Sequence, residues 1–267
     1  MNLVPKKFYE LNNSNRIWAI GSIHGNLYGL KKIHNHIFDS FNENDSIVYL
    51  GNVIGVGDNS AEVIDEIMNF RVSLMAKYEI DFKNFVFLRG AQEEMWLKLL
   101  ELQISPNPKE IITWMFNHGV NETLRSYKID QNEILNLCDS NTILISKWTT
   151  KVKDQIKLFE GHNDYFSNLF HAAFSDTKQI LFVNRGVDLS RPLSAQNDCF
   201  WWGFHGLSNL SEPYFSFKKI VRGYDPKRLG PKNDTIVCSF YKGSGFGENV
   251  VAGLFSKNGD IFDLFEA

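Results

Sequence analysis

The sequence predicts an α/β domain interrupted by a helical insertion, and three observations carry that reading. Short apolar runs alternate with amphipathic stretches over the first third of the chain. Helical patterns alone then fill a long central segment, and apolar runs return in the last third. A glycine-bearing loop follows each of the first three runs.

Residues 1 to 15 read as a tail or an edge segment. RIWAIG, residues 16 to 21, has the continuous apolar character of a buried strand. From Asn26 to Phe38, Leu27, Leu30, Ile33 and Ile37 share one helical stripe, and Asn26 stands where an N-cap belongs. DSIVYLG, residues 45 to 51, is a second strand. Asn59 followed by Glu62 has the form of a capping box ahead of a helix carrying Val63, Ile64 and Ile67. FVFLRG, residues 85 to 90, is a third strand. Strands alternating with helices imply parallel pairing through right-handed crossovers.

Between residues 93 and 172, helical patterns such as EEMWLKLLEL and KEIITWMF dominate, which marks the insertion. Strands resume at ILFVNRG (180 to 186), KKIVRGY (218 to 224), TIVCS (235 to 239) and NVVAGLFS (249 to 256), with a last one near DIFDLFE. No repeat, low-complexity tract or Pro/Gly linker divides the chain, so residues 16 to 267 are expected to form one domain.

Composition narrows the functional classes. The hydrophobic content of 43% is enough for a full core, which argues against disorder. A net charge of -3 supplies no basic face for nucleic acid. Cys138, Cys199 and Cys238 are few and far apart, which suits reduced thiols in the cytoplasm better than a disulfide frame. The N-terminal residues have no long apolar core of the kind a secretory signal needs. No stretch approaches the ~18 uncharged apolar residues that a membrane span requires. The expectation is a cytoplasmic protein that binds neither nucleic acid nor membrane.

Chemistry concentrates in the loops GSIHGN, GNVIGVG and RGAQEE, each at the carboxyl end of a strand, where α/β proteins build their sites. Their order and spacing resemble those of the calcineurin-like metallophosphoesterases, within them the bacterial branch of Ser/Thr protein phosphatases and diadenosine tetraphosphatases. That family's loops read G-D-x-H-G, G-D-x-x-D-R-G and G-N-H-E. Further along, WMFNHGVNETLRSY (114 to 127), FVNRGVDLSRPLSAQ (182 to 196) and VRGYDP (221 to 226) resemble later family segments. The resemblance implies an α/β/β/α sandwich of two mixed sheets flanked by helices. It also implies a two-metal phosphoesterase site, with the ions about 3.5–4 Å apart and bridged by a carboxylate.

The matching positions lack that chemistry. The family's six ligand positions fall on Ser22, His24, Asn52, Ala91, Asn184 and Tyr224, and only His24 keeps the family's residue type. The general acid position is Gln92, whose amide delivers no proton at neutral pH. The pair that orients the acid and clamps phosphate is Gly55 and Val56. Two dications in contact need anionic ligands, and neutral side chains do not supply them. No metal cofactor and no catalytic residue are therefore expected, as in a pseudophosphatase. The alternative is a phosphoesterase with a remodelled one-metal site holding Mn, Fe or Zn through His24, Asn52, Asn184 and a nearby acid such as Asp58, Glu93 or Glu94. Glu93 matches a family glutamate behind the ligands and is expected to hold backbone amides. His162 is expected to be structural, and His34 and His36 to lie on a helix that is otherwise surface-like.

Arg89, Arg185 and Arg222 flank these loops. Either the guanidinium groups enter the volume the metals would fill and bind a phosphorylated or acidic ligand, or they pair with Asp58, Glu93 or Asp225 and hold the loops. Aromatics crowd FHAAF, CFWWGFHG and EPYFSF between residues 170 and 217. They belong either to the core or to a face that docks a protein partner. The oligomeric state is left open.

Overall fold

The computed structural model describes residues 7–12, 14–203, 207, 210–232 and 235–267. Its first described strand is β1 (Phe8–Leu11), followed by β2 (Arg16–Ile20), α1 (Leu27–Ser40), β3 (Asp45–Tyr49), α2 (Ser60–Tyr78) and β4 (Phe85–Leu88). A helical run comes next: α3 (Ala91–Leu99), α4 (Pro108–Phe116), α5 (Val120–Ser126), α6 (Gln131–Leu137), α7 (Thr142–Lys157) and α8 (His162–Ser167). The chain then returns to strands with β5 (Leu169–Phe170), β6 (Ala172–Ser175) and β7 (Ile180–Val183). It ends with α9 (Cys199–Trp202), β8 (Lys219–Arg222), β9 (Val237–Ser239), β10 (Val251–Ser256) and β11 (Ile261–Glu266).

Among the described residues the strands form two mixed sheets, in the orders β1-β6-β7-β8-β9 and β11-β10-β2-β3-β4-β5. Strands β2, β3 and β4 pair in parallel, as the strand–helix alternation implies, and β10 joins β2 antiparallel. The period of two explains why these strands read as continuous apolar runs. Ile17, Ala19, Val48, Leu50, Val86 and Leu88 face a core shared with Phe182, Val221 and Cys238 of the other sheet. Trp18, Ile20, Ile47, Tyr49, Phe85 and Phe87 face the opposite way, into the core beneath α1, α2 and the inserted helices. A third cluster, with Leu181, Val183, Phe200 and Trp201, covers the outer face of the other sheet.

One open reading is decided and two expectations fail. Residues 8–11 are the edge segment, paired in parallel with β6. The helical run stops at Ser167, so β5 and the start of β6 lie inside the 93–172 stretch. These strands are too short to show an alternation. The Asn59 side chain makes no cap bond, and the Ser60 hydroxyl instead accepts from the Gly55 N–H at 3.0 Å.

Asn26 caps α1 as expected: its side-chain oxygen accepts from the Gly29 N–H at 2.9 Å, and its amide donates to the Glu248 carbonyl at 3.3 Å. Asn26→Ala should cost about 1 kcal/mol, read as a lower urea midpoint with an unchanged slope.

Candidate functional site

The three glycine loops leave the carboxyl ends of β2, β3 and β4, which are neighbours in one sheet. Asn184 follows β7 and Tyr224 follows β8, so the second sheet brings them to the same rim. The loops touch because Gly51 has no side chain: it has φ +80°, and a Cβ there would lie 2.6 Å from the Gly90 nitrogen and 3.0 Å from the Asn184 amide.

Glu93 ties this rim together. One carboxylate oxygen accepts from the Asn52 N–H at 2.8 Å and the Gly90 N–H at 2.9 Å. The other accepts from the Val53 N–H at 2.8 Å and the Tyr165 hydroxyl at 3.3 Å. Burial raises its pKa, with the backbone N–H donors opposing. Glu93 is thus the amide-holding residue the sequence suggested, with both oxygens occupied.

In front of Glu93 the polar side chains are neutral and mostly bonded to one another. Asn52, in the left-handed region at φ +53°, accepts from the Gln92 N–H at 3.0 Å and donates to the Ser22 hydroxyl at 3.3 Å. Its amide also stands 3.5 Å from the Asn184 carbonyl oxygen. The Asn184 amide donates to the Leu50 carbonyl at 2.7 Å. The Gln92 amide donates to the His118 carbonyl at 2.7 Å, leaving its buried Oε1 without a partner. That oxygen lies against Gly55. Val56 follows at φ +62°, an uncommon conformation for a β-branched residue.

His24 is 3% exposed, and neither ring nitrogen has a hydrogen bond of good geometry. Its ring packs edge-on to Tyr241 at 5.6 Å and Tyr224 at 6.0 Å. Burial pushes its pKa down to about 3; the neighbouring Ile54 carbonyl opposes this and Arg228 adds to it. Ala91, at the first turn of α3, presents only a methyl group.

These residues do not fit a metal pair. Ser22, His24, Asn52 and Asn184 bring no negative charge, and the carbonyl oxygens of both asparagines are already engaged. Among the described residues, no three His, Cys, Asp or Glu side chains stand together as a possible metal cluster. The nearby acids are otherwise placed: Glu94 pairs with Arg89 at 3.0 Å, and Asp58 is exposed, 3.9 Å from Arg125.

The arginines divide between the two expectations. Arg222 does not enter the site. It is buried in an ion pair with Asp225 at 2.7 Å and donates to the Ser239 hydroxyl at 2.6 Å. Arg89 is held by Glu94 and lies 5.5 Å over the Trp201 ring. Arg185 alone of the three lines the central cleft, a space of about 320 Å³ bounded also by His24, Asn52, Gln92, Trp202 and Tyr224. Its guanidinium lies 5.4 Å from the centre of the Tyr224 ring.

Other wall residues escaped the sequence reading: Phe116, His118 and Phe246. The signal for Phe246 was the run GSGFG, where Gly243, Gly245 and Gly247 all take positive φ. His34 also departs from expectation. It is buried, stacked on Phe70 at 3.8 Å and bonded to Glu66 at 2.8 Å and Tyr49 at 2.9 Å. His162 is structural, between Tyr127 at 2.7 Å and Asp65 at 2.9 Å. Of the aromatic-rich segments, Phe200, Trp201, Tyr214 and Phe217 are core, while Trp202 and Phe215 are exposed. Part of that stretch, 204–206 and 208–209, lies outside the described residues.

Among solved structures, the chain is similar to a protein assigned as a diadenosine tetraphosphatase, at 17% identity over 98% of each chain with a TM-score of 0.53. It is similar to a cold-active protein tyrosine phosphatase at 12% identity, covering 97% of this chain and 80% of that one, with a TM-score of 0.51. A cold-active protein-tyrosine phosphatase of a psychrophilic Shewanella species aligns at 10% identity over 97% of this chain and 82% of that one, with a TM-score of 0.50. No family model and no curated protein matches the chain. These likenesses show the fold alone: a sandwich of two mixed sheets flanked by helices, shared with those phosphatase structures.

Proposed function

We propose that this chain is a catalytically silent protein of the phosphoesterase fold, with a regulatory or scaffolding role, whose cleft binds a phosphorylated or acidic group through Arg185. The observation that carries the reading is the uncharged cluster Ser22–Asn52–Asn184, closed by its own hydrogen bonds where a two-metal site requires carboxylates. Hydrolysis of a phosphate ester needs an activated water and a proton for the leaving oxygen. Asn52 and Asn184 do not activate water, and Gln92 has no proton to give. A guanidinium with no acidic partner among the described residues still binds an anion without cleaving it.

We place the protein in the cytoplasm, where its unpaired Cys138, Cys199 and Cys238 suit a reducing environment. No helix among the described residues is long and apolar enough to cross a membrane. A silent domain exerts its effect through a protein partner, and the exposed rings of Trp202 and Phe215 supply apolar contact for one.

The test is elemental analysis of the purified chain together with a phosphomonoester assay in added Mn, Fe or Zn. The expected result is far less than one metal per chain and no turnover above buffer. A tightly held metal with turnover that vanishes in His24→Ala would overturn the reading.

A further inference from the structure

We propose that the cleft takes a flat aromatic monoanion of the aryl carboxylate class, its charge on Arg185 and its ring against the aromatic wall. This rests on the reading of the cleft as a non-hydrolytic anion site and narrows the ligand.

The first observation is shape and lining. The cleft holds about 320 Å³, at the small end of the range for ligand sites, and Phe116, Trp202, Tyr224 and Phe246 bound it. Trp202 is 36% exposed and Phe246 52% exposed, so both rings keep open surface although Trp114 packs on the first and Arg228 on the second. Flat rings stack well on such surfaces.

The second observation is charge. Among the described residues Arg185 is the one arginine or lysine in the cleft wall, and the one carboxylate there, Glu122, is engaged by Arg125 at 3.0 Å. The arginine is fixed in place. Its guanidinium lies over Tyr224, and its stem runs along Gly203, where a Cβ would come within 2.7 Å of Nε. One guanidinium fork neutralises one carboxylate in bidentate geometry. A phosphate dianion on Arg185 would keep a surplus negative charge, because among the described residues lining the cleft no second arginine or lysine stands, and Arg228 is stacked over the Phe246 ring at 4.3 Å.

The experiment is calorimetric titration of the full chain at pH 8 with 2-naphthoate, 2-naphthyl phosphate and inorganic phosphate. The first two share one ring system and differ in charge. 2-Naphthoate is expected to bind at least tenfold more tightly than 2-naphthyl phosphate. Arg185→Gln should weaken it tenfold or more, with Arg185→Lys recovering part. Phe246→Ala, at an exposed ring whose loss spares the core, should weaken 2-naphthoate severalfold with the melting temperature unchanged. Equal or tighter binding of 2-naphthyl phosphate would sink the monoanion inference and leave the anion site standing. No heat with any of the three probes would sink both. Undiminished 2-naphthoate binding in folded Arg185→Gln would remove the assigned contact.

Discussion

Glu93→Ala is expected to destabilise the chain by about 3 to 5 kcal/mol, the largest effect of any single substitution at the site. The carboxylate satisfies the N–H groups of Asn52, Val53 and Gly90, each within 2.9 Å. Two separate loops therefore depend on one side chain. Truncation leaves three buried donors without partners, each worth about 1–3 kcal/mol when unmet. Water entering the vacated space recovers part of this, which sets the estimate below the full sum. Glu93→Gln should lose less, because one oxygen still accepts while the new NH2 faces backbone donors. Urea unfolding at pH 7 of the three chains gives the order wild type, glutamine, alanine. An alanine variant within 1 kcal/mol of wild type would contradict the assignment of Glu93 as the loop anchor.

The titration of Glu93 also has a sign. Its folded pKa is raised, so its contribution to stability is greatest below the ordinary glutamate value and declines as pH rises through the folded one. The anchor role and the burial penalty thus coexist: the donors oppose the penalty without cancelling it.

How much of this was readable from residues alone depended on locality. Strands β2, β3 and β4 were legible because both faces are buried, which leaves long apolar runs. Asn26 was legible as a cap because its partner is three residues away. Asn59 had the same signature and failed, since Ser60 next to it supplies a hydroxyl to the preceding loop. β5 and β6 have two and four residues; β5 pairs with β4 and β6 with β1, both distant in sequence, and β6 also pairs with the adjacent β7. His34 sits among Leu30, Ile33 and Ile37, yet its partners Glu66 and Tyr49 lie on other elements.

The same limit governed the site. The family resemblance aligned its ligand positions one by one with neutral residues, and of these Ser22, Asn52 and Asn184 do come together. Where the arginines point was not readable. Arg222 is the last residue of β8 and is drawn to Ser239 of the neighbouring β9 and to Asp225. Arg185 lies two residues past the end of β7 and lines the cleft instead. Asp225, three residues on, is a local partner and was among those expected; the bond to Ser239 depends on a strand neighbour, which no local pattern encodes.

Acidification is expected to destabilise the chain, with His24 a principal contributor. The unfolded imidazole takes up a proton near pH 6.5, while the buried one stays neutral until about pH 3. Between those values the unfolded state binds more protons. Stability is therefore complete above pH 6.5 and falls by about 1.4 kcal/mol per unit as pH drops. Across the interval the loss is about 4 to 5 kcal/mol, comparable with the whole stability of many domains. His171, lowered to about 4, and His34 and His162, lowered by burial, push in the same direction. The wild-type curve alone thus reports several groups. His24→Asn isolates one, since asparagine tolerates the φ of +50° at this position and carries no titrating proton. The variant should be less stable than wild type at pH 8, and the gap should shrink steadily from pH 6.5 to pH 4. A gap that stays constant over that range, measured by urea unfolding, would mean that His24 is either solvated or charged in the folded chain. The neutral, buried imidazole at the cleft floor would then have to be abandoned.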